Sequence, residues 1–158
     1  MRELILLRHA HAEPVAAGQG DAERPLSMRG QAEADAAAQW LKAHDLRPTR
    51  VLCSPSKRTR ETLGRVLEVL GYSEVRYEPR IYEAVPGTLM AVLDEHAEVD
   101  RVLMVGHNPS FEQTAALLHS GQSGDFRGMP TGGIAVLTMP QGAALEPGIG
   151  TLTQFWWP

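Results

Sequence analysis

Glu3 to Glu13 reads E-L-I-L-L-R-H-A-H-A-E. Leu4, Ile5, Leu6 and Leu7 form an unbroken apolar run, the pattern of a strand covered on both faces, as in a parallel sheet. The run stops at Arg8 and His9. A guanidinium and an imidazole therefore stand together at the strand's carboxyl end, where ligands bind in open α/β sheets. A permanent cation beside a potential nucleophile points to chemistry on an anion.

Other strand ends carry the same kind of residue. Val51, Leu52 and Cys53 form a second short buried strand, followed by Ser54-Pro55. Ser54 is expected to cap a helix and Pro55 to be its first residue. Leu63, Val66, Leu67 and Leu70 recur at helical spacing, and Gly71 is placed to end that helix. Arg58 falls in its first turn, where a cation opposes the helix dipole. The placement makes sense if Arg58 and the free backbone N–H groups face a shared anion. Val102 to Val105 is a third apolar strand, ending at Gly106-His107-Asn108-Pro109. Asn108 as cap and Pro109 as first residue begin a helix with Phe111, Ala115 and Leu118 inward, closed by Gly121.

The intervening segments supply the rest of an α/β pattern. Glu13 to Pro25 is an irregular loop leaving the Arg8–His9 corner, either a flank of the site or a solvated connector. Ser27 caps an Ala-rich helix that runs to about His44, with Ala34, Ala37, Ala38 and Leu41 on its apolar side and Trp40 beside them. Val75 to Tyr77 is a weaker strand ended by Pro79. A short helix spans about Thr88 to Glu95, with Leu89, Val92 and Leu93 inward. Gly132 to Met139 is a further strand. Thr151 to Trp157 pairs back as a terminal antiparallel strand, with Trp156 and Trp157 packing or covering an edge.

Bulk properties narrow the function classes. At 158 residues, residues 1–158 are expected to form one domain. The 43% hydrophobic and 22% charged content is ordinary for a globular protein. A net charge of −4 provides no general basic field, so nucleic acid is not an expected partner. Cys53 is the only cysteine, and no signal-peptide or membrane-length apolar stretch is seen. A cytoplasmic protein without a membrane partner is the expectation.

If the three strands are parallel neighbours, Arg8, His9, Arg58 and His107 converge on one sheet edge. Arginine forks match phosphate oxygens, so the site they would build is a phosphoryl pocket. Singly, each has a plain structural alternative. Arg8 could be an ion-pair partner, and Arg58 part of a solvated helix face with Lys57, Arg60 and Glu61. Either histidine could be a hydrogen-bonded structural residue. Their agreement across separate junctions favours the shared site.

The motifs around these residues resemble a known family. L-L-R-H-A-H-A-E (Leu6 to Glu13), P-L-S-M-R-G-Q (Pro25 to Gln31), C-S-P-S-K-R-T-R-E-T (Cys53 to Thr62) and V-G-H-N-P-S (Val105 to Ser110) are similar, in order and spacing, to the signatures of the histidine phosphatase (phosphoglycerate-mutase-like) superfamily. The short length, V-G-H-N-P and T-G-G-I-A-V-L (Thr131 to Leu137) are most similar to the small SixA-type phosphohistidine phosphatases. The resemblance implies a three-layer α/β/α sandwich whose central sheet is mostly parallel, with a C-terminal antiparallel strand. It implies that His9 is the nucleophile, transiently phosphorylated. Arg8, Arg58 and His107 would hold the phosphoryl oxygens and stabilise charge during transfer. No metal or cofactor is required, and there is no Asp/Glu/His cluster to hold a metal.

Glu83 occupies the place where many members carry the acid that protonates the leaving group; a surface-loop glutamate is the alternative. Ala10 replaces the commoner glycine after the nucleophile, which would be strained if that site needs a positive φ. His11 is expected to be a solvent-exposed structural residue, with titration near the site as the alternative, and Cys53 to be a buried core residue rather than a thiol nucleophile. Short connections predict a shallow, open site. The expected activity is a phosphatase for phosphohistidine on a partner protein, such as a histidine-containing phosphotransfer domain or carrier. The alternatives are a phosphomonoesterase for small phosphate esters and a phosphoprotein-binding module with little turnover.

Overall fold

The computed structural model describes residues 2–124 and 128–158. Six strands form one sheet in the order β3-β2-β4-β1-β5-β6, with β1 (Arg2–Arg8), β2 (Arg50–Cys53), β3 (Glu74–Tyr77), β4 (Arg101–Gly106), β5 (Ile134–Met139) and β6 (Thr151–Trp156). The helices are α1 (Met28–Ala43), α2 (Lys57–Leu70), α3 (Pro86–Asp94) and α4 (Ser110–Ser120). β1, β4, β2 and β3 are parallel. β5 runs antiparallel to both β1 and β6, so the antiparallel part of the sheet comprises two C-terminal strands where one was expected.

The unbroken apolar runs are explained by two covered faces. Ile5, Leu7, Val51, Cys53, Leu103 and Val105 pack with Ala37, Ala38 and Leu41 of α1 and Leu63, Val66 and Leu70 of α2. Leu4, Leu6, Leu52, Val102 and Met104 pack on the opposite face with Leu89, Val92 and Leu93 of α3 and Phe111, Ala115 and Leu118 of α4. Successive strand residues point to opposite faces, so a strand between two helical layers has no polar face to alternate with.

Register brings the strand ends level. Arg8 lies opposite Gly106, and Val105 opposite both Leu7 and Cys53. The next residues of each chain, His9, His107 and Ser54, leave the sheet side by side. Gly106 has no room for a side chain there: a Cβ would come within 2.6 Å of the Phe111 ring.

Two expected helix starts are corrected. Ser54 does not cap α2. Its N–H is bonded to the Val105 carbonyl, so the chain is only leaving the sheet there and has not yet turned into the helix. Ser56 is the cap, its hydroxyl accepting from Thr59 N–H, and α2 begins at Lys57. Asn108 is not the cap residue of α4 either; Pro109 takes that position and the helix starts at Ser110. Asn108 Oδ1 still serves the helix by accepting from Glu112 N–H at 3.2 Å. Ser27 and Gly71 act as expected, and Gly121 ends α4 at φ 87°. At the sheet edge Trp156 stacks on Trp40 with ring centroids 5.6 Å apart, while Trp157 stays largely exposed against Phe155.

Candidate active site

The sheet register brings His9, at the end of β1, against His107, at the end of β4. Their ring centroids are 5.3 Å apart and the planes are tilted by 58°. Arg58, in the first turn of α2, reaches the same place, with Nη2 3.4 Å from His107 Nδ1. Arg8 turns toward the loop before β5, where Nη1 donates to the Met129 carbonyl at 2.8 Å. Arg8 Nε and Arg58 Nε are buried donors without a hydrogen-bond partner among the described residues. Buried guanidinium N–H groups left unpaired are costly unless something completes them, and an oxyanion is what they fit.

Hydrogen bonds assign the tautomers. His9 Nδ1–H donates to the Ala10 carbonyl at 2.7 Å, which leaves Nε2 as the lone-pair nitrogen. His107 Nε2 lies 2.8 Å from Ser54 Oγ, and its Nδ1 faces the Arg58 donor. A serine hydroxyl both donates and accepts, so Ser54 supports His107 with its proton on either nitrogen. Burial, followed by the charges of Arg58, Arg8 and Arg24, pushes His9 down to about 4, against the one raising contribution of its bond to Ala10. Burial, then the neighbouring His9 and Arg58, pushes His107 down to about 3. Both rings are therefore neutral at physiological pH.

Several residues at the site carry no signal in the sequence. Asp21, in a short 3-10 turn of the Glu13–Pro25 loop, accepts from Arg58 Nη2 through Oδ2 at 3.0 Å and from Arg58 Nη1 through its backbone carbonyl at 2.8 Å. The Tyr82 hydroxyl donates to the same Oδ2, and Arg24 donates to Oδ1. The Tyr82 bond and the arginines hold the Asp21 carboxyl well below the usual carboxylate range. Tyr82 also lies beside His107, ring centroids 5.4 Å apart, and under Arg58, 5.9 Å from its guanidinium carbon. The loop is thus a flank of the site, as one of its two readings had it. Thr62, one turn beyond Arg58, accepts from Ala10 N–H and donates to the Arg58 carbonyl.

Glu83 is not built into this constellation in the same way. It is exposed, adopts φ 55°, and its carboxylate has no hydrogen bond among the described residues. Its link to the site is its neighbour Tyr82, whose hydroxyl is pushed up first by the bond to Asp21 and then by burial and the Asp21 charge, with the Glu83 charge the smallest contribution.

Ala10 is not among the residues with positive φ, so it carries no strain of that kind; its buried methyl packs on Leu26 and Ala34. His11 Nδ1 pairs with Ser27 Oγ at 2.7 Å, a structural bond. Its carbonyl accepts from Ser27 N–H, and a Cβ at Gly30 would sit 1.9 Å from that carbonyl oxygen. Only glycine lets α1 approach the loop that follows His9. Cys53 is fully buried, and burial pushes its thiol up to about 12. Among the described residues, no group of three or more His, Cys, Asp or Glu could hold a metal, and no helix is long and apolar enough to cross a membrane.

Residues 4–100 match the family model of the histidine phosphatase superfamily (branch 1). The chain belongs to this superfamily. Its structure is similar to that of the SixA protein from Agrobacterium tumefaciens, at 29% identity and TM-score 0.86, covering 99% of this chain and 98% of that one. A SixA protein histidine phosphatase in complex with tungstate gives 29% identity and TM-score 0.83, over 98% of this chain and 96% of that one. In sequence, the uncharacterized protein Rv1276c of Mycobacterium tuberculosis is 36% identical over 148 residues, spanning 87% of this chain and 91% of the relative. This superfamily member is therefore SixA-like in fold, and its chemistry is that of a phosphatase, a hydrolase.

Proposed function

We propose that this chain hydrolyses phosphohistidine on a partner protein through a phosphorylated His9. The observation that carries the reading is His9 itself: neutral, with Nδ1 tied to the Ala10 carbonyl and, among the described residues, no partner on Nε2, beside two arginines whose buried Nε–H donors have no partner among those residues either. The Nε2 lone pair attacks phosphorus as the bond to the leaving nitrogen breaks, and that nitrogen keeps the electron pair. Water then attacks the phosphorus on His9. The P–Nε2 bond breaks, inorganic phosphate leaves, and Nε2 recovers its lone pair.

Arg8 and Arg58 offset the charge on the phosphoryl oxygens as it is redistributed. His107 donates to an oxygen from Nδ1 when the Ser54 hydroxyl turns to donate to Nε2. No step calls for a metal. A histidine leaving group suits this site: protonated on its other nitrogen, it departs as neutral imidazole, whereas an alkyl ester departs as a strongly basic alkoxide. The likeness to SixA supports the protein substrate.

The test compares phosphate release from a histidine-phosphorylated protein and from a panel of small phosphate esters, wild type against His9→Ala. Preference for the phosphoprotein, lost in His9→Ala, is expected. Preference for an ester, also lost in the variant, would keep the mechanism and move the substrate to metabolites. Release unaffected by His9→Ala would overturn the mechanism, and no release from either would leave a phosphoprotein-binding module.

A further inference from the structure

Arg58 has two edges on which it can meet an oxyanion: the end-on edge between Nη1 and Nη2, and the side-on edge between Nε and Nη2. Asp21 occupies the first. Its backbone carbonyl takes Nη1 at 2.8 Å and its Oδ2 takes Nη2 at 3.0 Å. Among the described residues, the second edge is left with a buried Nε–H that has no partner and an Nη2 whose one further hydrogen-bond approach is to His107 Nδ1, at 3.4 Å. Asp21 is itself held, although its side chain is 45% exposed: Tyr82 donates to Oδ2 and Arg24 to Oδ1. Tyr82 also lies against the Arg58 guanidinium. A solvated carboxylate tethered by three side chains is a built feature of the loop.

We propose that Asp21 is a positioning residue that fills the end-on edge of Arg58, so that a phosphoryl group meets the side-on edge already aligned. This deepens the proposed function and rests on it. An unrestrained arginine would lose rotamer freedom when a ligand orders it. Asp21 makes that loss part of folding instead. Its charge is set back from the pocket by the width of the guanidinium, which separates it from the incoming anion.

The arrangement has two rivals that predict different numbers. If Asp21 competed with phosphate for Arg58, its removal would tighten phosphate binding. If it donated a proton to the leaving group, its removal would slow turnover in proportion to leaving-group basicity, and asparagine could not replace it.

The test measures kcat, KM and the inhibition constant for inorganic phosphate in wild type, Asp21→Ala and Asp21→Asn, with aryl and alkyl phosphates and a phosphohistidine protein as substrates. Circular dichroism and thermal melts confirm the fold of each variant. Asp21→Ala is expected to weaken phosphate inhibition and raise KM in parallel, roughly tenfold, whatever the leaving group. Asp21→Asn keeps both the backbone carbonyl and a side-chain oxygen for Nη2, and is expected to stay within about threefold of wild type. Tyr82→Phe, which leaves Asp21 in place but removes a donor to it, is expected to move the same two constants in the same direction by less. Tighter phosphate binding in Asp21→Ala, a loss confined to kcat and graded by leaving group, or no change would each overturn the proposal. A wild-type protein that neither binds phosphate nor releases it would instead overturn the proposed function.

Discussion

The Nδ1 nitrogen of His9 stands 2.7 Å from the carbonyl oxygen of Ala10, the next residue in the chain. That bond fixes the ring and commits its second nitrogen to the pocket. Burial and the charges of Arg58, Arg8 and Arg24 keep the ring uncharged, with a pKa of about 4, while His107 is held at about 3. An ordinary histidine titrates near 6.5. Among the six histidines of the chain, the His9 and His107 Cε1–H proton signals are therefore expected to show no protonation shift from pH 8 down to about pH 5. Assignment by His9→Ala and His107→Ala identifies them. A midpoint near 6.5 for either ring would contradict the environment described.

The same shifts set a direction for stability. Between the folded and unfolded pKa values the unfolded chain binds more protons, so stability rises with pH through that window. It is fully present above about pH 6.5, declines as pH falls toward 4 for His9 and 3 for His107, and loses nothing further from these groups below that. The two rings together contribute on the order of a few kcal/mol to this acid-side loss. Urea denaturation at a series of pH values should show the slope, and removing either ring by alanine substitution should reduce it.

Ser54 Oγ is the partner of His107 Nε2, at 2.8 Å, and is fully buried. Alanine there leaves a buried ring nitrogen without a partner and removes the hydroxyl whose rotation lets the proton sit on either nitrogen. Ser54→Ala is expected to lower kcat/KM roughly tenfold for phosphohistidine and ester substrates alike. A loss of stability with kcat/KM intact would assign Ser54 to the fold alone.

Thr62 couples α2 to the loop after β1. Its hydroxyl accepts from Ala10 N–H at 3.0 Å and donates to the Arg58 carbonyl at 2.8 Å. Valine is nearly the same shape but strands a buried N–H. Thr62→Val is expected to cost roughly 1–3 kcal/mol, read as a fall in Tm of about 2–4 °C per kcal/mol. Because the Ala10 carbonyl carries the His9 ring, activity should fall as well. A variant with unchanged Tm and activity would show that Ala10 finds another acceptor.

Arg8, His9, Arg58 and His107 are legible in the sequence because each follows closely where an apolar run stops, and a strand end in this kind of sheet is where ligands sit. Asp21 is not. It lies in a loop with no periodicity, and its contact with Arg58 spans 37 residues. Ser54 is hidden by its own context, since Ser-Pro before a helical pattern reads as a cap; only the bond from its N–H to Val105 shows that the chain has not yet turned into the helix. The direction of β5 is equally silent, because a strand packed on both faces has the same apolar pattern in either orientation. Gly30 lies within a stretch that matches a family motif, but the reason for a glycine there, the His11 carbonyl against its Cα, is a tertiary contact.

Glu83 is expected to separate the two substrate classes. It is exposed, at φ 55°, and beside a tyrosine that borders His107. A general acid must reach the leaving atom, and a loop carboxylate with no hydrogen bond among the described residues is expected to do so once a substrate is seated. Its benefit depends on the leaving group. An alkoxide leaving an ester needs a proton in the transition state, and general acid catalysis of that kind contributes roughly 10²–10⁴-fold. An imidazole already protonated on its distal nitrogen leaves neutral without help. Glu83→Gln is therefore expected to slow alkyl phosphate hydrolysis at least tenfold while phosphohistidine turnover stays within about twofold. Equal slowing of both would make Glu83 part of the general architecture of the site, and no slowing of either would return it to the surface of the loop.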